Sequence, residues 1–273
     1  MVMRRYAIFS VLLMVLTLSA ALSALAEATR PTGYEVMDRV YARPEGKDRE
    51  GIMTMTLSDH TGVKKNLTFK YYIKEYGKDK KSLITFLEPE NLKGTGLLQY
   101  DYWNPSQEDE RWLFLPAMEQ GKQASSEPTN KGFLGSDFTY EEMGWRSTDE
   151  DTHTLVGEEN VSGIPCWIVE SVPLDKENAY SKVVSWINKD NYVQVKNLFY
   201  DRNGALIKRM TTSDVKKTDG YWTVYKTRME NVQKSHETNY SLQEIRHDIG
   251  LPDDMFDVKN IKGNLIKINK TKK

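Results

Sequence analysis

Between residues 52 and 246 one strand-like run follows another with almost no helical pattern between them, and this limits the fold more than any other feature. Parallel strands need a crossover of a dozen or more residues, usually a helix, so the chain is restricted to antiparallel pairing. In Ile52-Met53-Thr54-Met55-Thr56-Leu57 the apolar Met53, Met55 and Leu57 alternate with Thr54 and Thr56, the period of a sheet with one wet face. Asp59-His60-Thr61-Gly62 supplies a turn. The returning run over 66–73 sets Leu67, Phe69, Tyr71 and Ile73 on one face, which makes a hairpin. Further strands are predicted over 82–87, 97–102, 111–115, 166–172, 183–187, 192–200, 205–210, 221–231 and 238–246. Asn203-Gly204 is a strong hairpin signal, so 183–210 reads as a three-stranded meander.

Helices are few. Thr32 with Glu35 has capping-box spacing, and Val36, Met37, Val40 and Tyr41 then share one side before Pro44 and Gly46 end the run. Strand signals vanish between 116 and 147. A polar loop over 119–131 leads there into Gly132-Phe133-Leu134-Gly135-Ser136-Asp137-Phe138-Thr139. Thr139 and Glu142 again have capping-box spacing, with Phe138 and Met143 at the positions of a hydrophobic staple, which predicts a short helix near Thr139. Trp112-Leu113-Phe114-Leu115 is apolar on both faces and predicts a strand covered on both sides.

Export is predicted from the first residues. Arg4 and Arg5 precede an apolar run over 8–18, and Ala24-Leu25-Ala26 offers small residues to a signal peptidase. Residues 1–26 therefore read as a secretory signal and 27–273 as a single mature domain. The apolar run falls short of the roughly 18 residues that spanning a membrane needs. A net charge of -1 argues against a nucleic-acid partner. The basic tail, with Lys262, Lys267, Lys270, Lys272 and Lys273, reads as a solvated end. Cys166 is the only cysteine, which excludes an intramolecular disulfide and a thiolate metal cluster, so the domain must be held by its core.

Signals for catalysis are weak. Ser136-Asp137 lies outside the Gly-x-Ser-x-Gly elbow, and none of His60, His153, His236 and His247 stands in a motif, so Ser136 and Asp137 are assigned to capping and loop geometry. Gly94-Thr95-Gly96 lacks the third glycine of a dinucleotide loop and reads as a bulge or tight turn. Glu108-Asp109-Glu110 and Asp149-Glu150-Asp151 lack the pattern of a calcium loop and read as solvated loops. No catalytic residue, metal site or cofactor is expected, and the chain reads as a non-enzyme. Trp103, Trp112, Trp145, Trp167, Trp186 and Trp222 fall in or beside strands. A strongly curved antiparallel sheet has an interior that such side chains fill or that a ligand occupies, and methionine suits an adaptable lining.

Glu110-Arg111-Trp112-Leu113-Phe114-Leu115-Pro116, then Leu134-Gly135-Ser136-Asp137-Phe138-Thr139-Tyr140-Glu141-Glu142, and the meander opening at Trp186-Ile187-Asn188-Lys189 carry a resemblance. With the signal peptide they resemble the outer-membrane lipoprotein-sorting protein family, the LolA-like group related in fold to LolA, LolB and RseB. The resemblance implies a mainly β fold with a few helices: an incomplete, strongly curved antiparallel β-barrel with helices lidding its concave face. It implies a periplasmic carrier or receptor for acyl chains of a lipoprotein or other lipid, working with a membrane-protein donor or acceptor. The alternative is a non-carrier sensor or adaptor acting with a membrane transporter. On this basis the expected cavity lining is Met55, Phe69 and Tyr71; Leu83 and Leu98; Trp112 and Phe114; Phe138, Tyr140 and Met143; and Trp186 and Val193. Trp112 and Phe114 are expected to face inward, and Leu113 and Leu115 outward onto an element such as the helix over 36–41.

Overall fold

The computed structural model describes residues 30–117, 122–123 and 132–270. The signal expected over 1–26 and most of the polar loop expected over 119–131 lie outside the described residues. The helix predicted after Thr32 is present as α1 (Gly33–Tyr41), with Thr32 and Glu35 bonded reciprocally as a capping box.

Strands then run in chain order as β1 (Asp48–Ser58), β2 (Lys64–Tyr76), β3 (Asp79–Glu88), β4 (Gly96–Asp101), β5 (Glu110–Phe114) and β6 (Lys122–Gln123). After the insert come β7 (Asp151–Val161), β8 (Ile164–Pro173), β9 (Tyr180–Asn188), β10 (Gln194–Asp201), β11 (Leu206–Thr218), β12 (Tyr221–Asn231) and β13 (His236–His247). A second helix, α2 (Ile261–Lys270), follows.

All thirteen strands lie in one sheet, in the order β6-β5-β4-β3-β2-β1-β13-β12-β11-β10-β9-β8-β7, with every pairing antiparallel. The predicted hairpin and the predicted meander are both present, as β1–β2 and as β9–β10–β11. β7 carries no clear period-2 apolar signal because it is an edge strand with mostly polar or half-exposed residues, and reading the sequence alone misses it. The two edge strands, β6 and β7, are consecutive in sequence, so the insert between them crosses the molecule from one open edge to the other.

The sheet is curved and does not close. Its concave face carries Met53, Met55, Leu67, Phe69, Tyr71, Ile84, Phe86, Leu97, Met229 and Leu242, packed with Phe133 and Phe138 of the insert. α1 lies on this same side over β8 and β9, where Val36 and Met37 meet Val169 and Ile187. The mainly β, incomplete barrel with elements lidding its concave face is therefore the fold.

On the convex face Tyr72, Leu83, Leu98 and Phe114 pack with Leu251, Phe256, Ile261 and Leu265. The C-terminal segment is thus a docked helix where the sequence reading expected only a solvated tail; Ile261, Leu265 and Ile268 recur at helical spacing and supply its apolar side. α2 approaches the sheet closely because β4 begins with Gly96: a Cβ there would lie 2.6 Å from Leu265 Cδ1. Asp48, buried at the start of β1, accepts from the amides of Ile249, Gly250 and Leu251 and fixes where the chain leaves β13.

Leu265→Ala should remove the centre of this contact and cost about 2–5 kcal/mol, the usual range for such core truncations. A lowered urea midpoint with an unchanged slope is the expected measurement. An unchanged midpoint would mean that α2 is not part of the cooperative fold.

Candidate functional site

The concave face is filled unevenly. At one end Phe133 lies 6.2 Å from Phe69, 6.1 Å from Phe86 and 5.3 Å from Tyr140, ring centre to ring centre, and this aromatic plug closes the space. Towards α1 the side chains no longer meet, and two adjoining cavities of about 370 and 300 Å³ remain. Both fall in the range of small-ligand sites, roughly 300–1,000 Å³. The first is walled by Met53, Phe69, Tyr71, Ile84, Tyr240 and Leu242 under Phe138, Met143 and Trp145. The second is walled by Met37, Tyr180, Val183, Phe199 and Met229. Val40, Arg43, Glu45, Phe138, Trp145 and Met210 border both.

The insert forms the roof, and polar anchors hold it down. The Asp137 amide donates to Thr238 Oγ1 at 2.9 Å, and the Asp137 carboxylate accepts from that hydroxyl at 2.8 Å and meets His236 Nδ1 at 2.7 Å. The Ser136 hydroxyl donates to the Phe138 carbonyl at 3.1 Å, which is the loop role expected of it. Thr139 and Glu142 do form a capping box, but the helix it was expected to start is one turn, closed by Met143 N–H to Thr139 O at 3.2 Å. The Glu142 carboxylate also meets Lys208 Nζ at 3.0 Å and accepts from the Tyr180 hydroxyl at 2.7 Å.

Arg146 ends the roof in a cage of Glu141, Glu150 and Asp151. Burial works to lower its pKa, but Asp151, Glu141 and Glu150 outweigh burial and raise it. The acidic run at 149–151 is corrected by this arrangement: it is a capped 3-10 turn (Thr148–Glu150) leading into β7, held by Arg146, and not a solvated loop.

Two titrating groups stand near the cavities. Glu45 sits among Arg43, Arg49 and Lys80. Burial pushes its pKa up, yet Arg49, Lys80 and Arg43 together bring it down to about 2. Asp101, on β4 beneath the roof, is the opposite case: burial, and then the nearby Asp109, push its carboxyl up to about 7 against the Gln99 amide that donates to it. Gly144 of the roof lies directly on this pair, since a Cβ there would be 2.3 Å from Gln99 Nε2.

Among the expected lining residues, Phe69, Tyr71, Phe138, Met143 and Val193 border the first cavity. Met55 and Tyr140 belong to the same face but lie in its closed part. Leu83, Leu98, Trp112 and Phe114 require a correction. They lie on the convex face beneath α2, because β4 and β5 pair Leu98 with Trp112 and Gly96 with Phe114, and Gly96 faces Leu265. The expected parity of β5 is therefore exchanged: Leu113 pairs with Leu97 of the concave face, and Leu115 is exposed. α1 is remote from β5 and packs on β7 and β8. Trp186 points away from the face of Ser185 and Ile187, donating to Glu159 at 2.5 Å under Lys196. The charged residues at the cavities, Arg43, Glu45 and Arg49, all lie between residues 43 and 49 and were passed over because charged side chains are ordinarily solvated, whereas these are buried; Lys80 joins Glu45 from β3 without lining either cavity. Among the described residues no group of three or more His, Cys, Asp or Glu side chains is placed to hold a metal ion.

The family model that matches residues 78–263 is described as "-like: Uncharacterized protein". Comparison with curated proteins returned no match. A crystal structure of a DUF1329 family protein from Desulfovibrio piger is 33% identical, with a TM-score of 0.78, covering 82% of this chain and 95% of that one. A protein domain from Vibrio parahaemolyticus, named for outer membrane lipoprotein sorting, is 30% identical with a TM-score of 0.78, covering 84% of this chain and 97% of that one. A LolA superfamily protein from Nitrosomonas europaea shares the fold at 16% identity, with a TM-score of 0.66 and 84% and 98% coverage.

The pKa of Asp101 sets a pH dependence. An unfolded aspartate titrates near 3.9, so the folded protein holds this proton more tightly, and the resulting stability is complete below about pH 4 and is lost as pH rises through about 7. Glu45 acts in another window, its contribution being lost only as pH falls from about 4.5 towards 2. Between pH 5 and 8 the urea midpoint of the native chain should fall. Asp101→Asn should flatten that slope and gain on the order of 2–4 kcal/mol at pH 8. An unaltered slope in the variant would remove Asp101 as its source.

Proposed function

We propose that this chain, which belongs to the DUF1329 family within the LolA-like group, is a periplasmic carrier or receptor that holds acyl chains in its concave face for transfer towards the outer membrane. The observation that carries this reading is the unfilled part of that face: apolar walls from β1, β2 and β10–β13 remain apart beneath a roof anchored by separate polar contacts. Clefts of this size, lined largely by apolar side chains with a few charged groups, are the usual form of a small-ligand site.

The physics of such a carrier is simple. Each methylene withdrawn from water contributes roughly 0.8 kcal/mol, so a dry cavity can carry an acyl chain through an aqueous compartment with no chemistry at all. Release then needs only an acceptor that binds the chain more tightly. Residues 1–26 act as the export signal in this scheme, and the rest of the chain is one lipid-binding domain. The LolA-like fold and the buried engagement of Ser136 and Asp137 in structural contacts favour binding over catalysis. The named role of the Vibrio parahaemolyticus domain in outer membrane lipoprotein sorting favours a lipoprotein cargo, and a membrane-protein donor or acceptor is part of this proposal.

Native mass spectrometry of the protein from its own cells should find lipid retained, and a fluorescent fatty-acid analogue should bind the purified chain and alter tryptophan emission through Trp145 and Trp222, which border the first cavity. Met210→Trp, filling the space between the two cavities, should weaken probe binding by at least about tenfold while the protein stays folded. No retained lipid together with no probe binding would exclude the carrier and leave an adaptor.

A further inference from the structure

We infer that the ligand is an amphiphile with an anionic head, a carboxylate or a phosphate, held by Arg43 and Arg49 where they line the first cavity, with Lys80 adding its charge through Glu45 beside them. This rests on the acyl-chain reading above and specifies the other half of the molecule.

The three cations come from three separate segments, the loop after α1, strand β1 and strand β3, and converge on one carboxylate. Arg43 Nη2 is 2.8 Å from Glu45 Oε1, Arg49 Nη2 is 2.7 Å from Oε2, and Lys80 Nζ is 3.3 Å from Oε2. Their side chains are only 17%, 8% and 10% exposed. Lysine and arginine are seldom buried so far unless each has its own counter-ion, because removing a charge from water is costly. Here three cations share one well-buried carboxylate; the second one near them, Glu75, is 3.6 Å from Lys80 and 31% exposed. Arg43 Nε is buried with no hydrogen-bond partner. Arg43 Nη1 donates to the Trp222 carbonyl and Arg49 Nη1 to the Glu45 carbonyl, so backbone acceptors serve part of the cluster, but its three positive charges outnumber the two carboxylates beside them.

Its position matches an amphiphile. Arg43, Glu45 and Trp145 border both cavities, and the Trp145 ring lies beside Arg49, at 5.4 Å, and Lys80, at 4.7 Å. An anion bound to the guanidinium groups has the apolar walls at Phe69 and Met210 within reach of its chain. Arginine presents planar, bidentate donors that suit a carboxylate or a phosphate equally, which is why the cluster selects charge and not one head group. Glu45 occupies the place of that head, so an incoming anion shares or displaces it.

The test is titration of the purified chain, followed by tryptophan emission, with three amphiphiles of one acyl chain: oleate, oleoyl lysophosphatidate and uncharged monoolein. Both anions should bind at least about tenfold more tightly than monoolein at low salt, and the gap should narrow as salt is added. The tighter of the two anions identifies the head as carboxylate or phosphate. Arg49→Met should weaken anion binding by about tenfold and leave monoolein within about twofold. Glu45→Gln should strengthen anion binding, a gain that a cluster serving only to fasten the loop would not produce. Equal affinity for oleate and monoolein in the native chain overturns the inference while leaving the acyl-chain cavity standing; failure of all three to bind overturns both.

Discussion

A sheet of thirteen strands has to bend. Each strand is rotated from its neighbour by the same handed twist, and open sheets much beyond ten strands curl or split. Here the sheet curls, and everything else follows from the two unequal faces that curling creates. The convex face is broad and is covered by a short helix that a glycine lets in close. The concave face draws strands from both halves of the sequence around one volume, which the side chains of the wall cannot fill alone. The insert and α1 are what the chain sends into that volume, and they leave part of it empty.

Polar contacts fix the roof in addition to the aromatic packing of Phe133 and Phe138. The roof is fixed by Asp137 to His236 and Thr238, by Glu142 to Lys208 and Tyr180, and by Arg146 to three carboxylates. Partly buried ion pairs of this type add little net stability against an apolar alternative, but removing one partner leaves a charge stranded, so they define where a surface element sits. Asp101 is the exception within the set, a carboxyl held near neutrality beneath Gly144 with one oxygen unpartnered.

Much of the architecture was legible in the sequence because period-2 alternation and turn chemistry are local. The β1–β2 hairpin, the meander through Asn203-Gly204 and the capping boxes at Thr32 and Thr139 are all written within a few residues. What failed was parity where local signal runs out. Trp112-Leu113-Phe114-Leu115 is apolar at every position, so nothing in it says which face is inner; that is decided by its pairing with β4 and by Gly96 against Leu265, both distant in sequence. β7 was missed because an edge strand keeps only half of the burial that produces alternation. The cation cluster was only half legible: Arg43, Glu45 and Arg49 are close in sequence, but their burial and the approach of Lys80 from β3 depend on the fold.

The insert begins after one free edge of the sheet, β6, and ends at the other, β7, so it is a covalent strap drawn across the mouth of an unclosed barrel. Among the described residues no ladder of hydrogen bonds joins those two edges. The described part of that insert is tied instead to the wall, through Lys208 of β11 and His236 and Thr238 of β13, so a shift of either strand is felt by the residues that close the cavity.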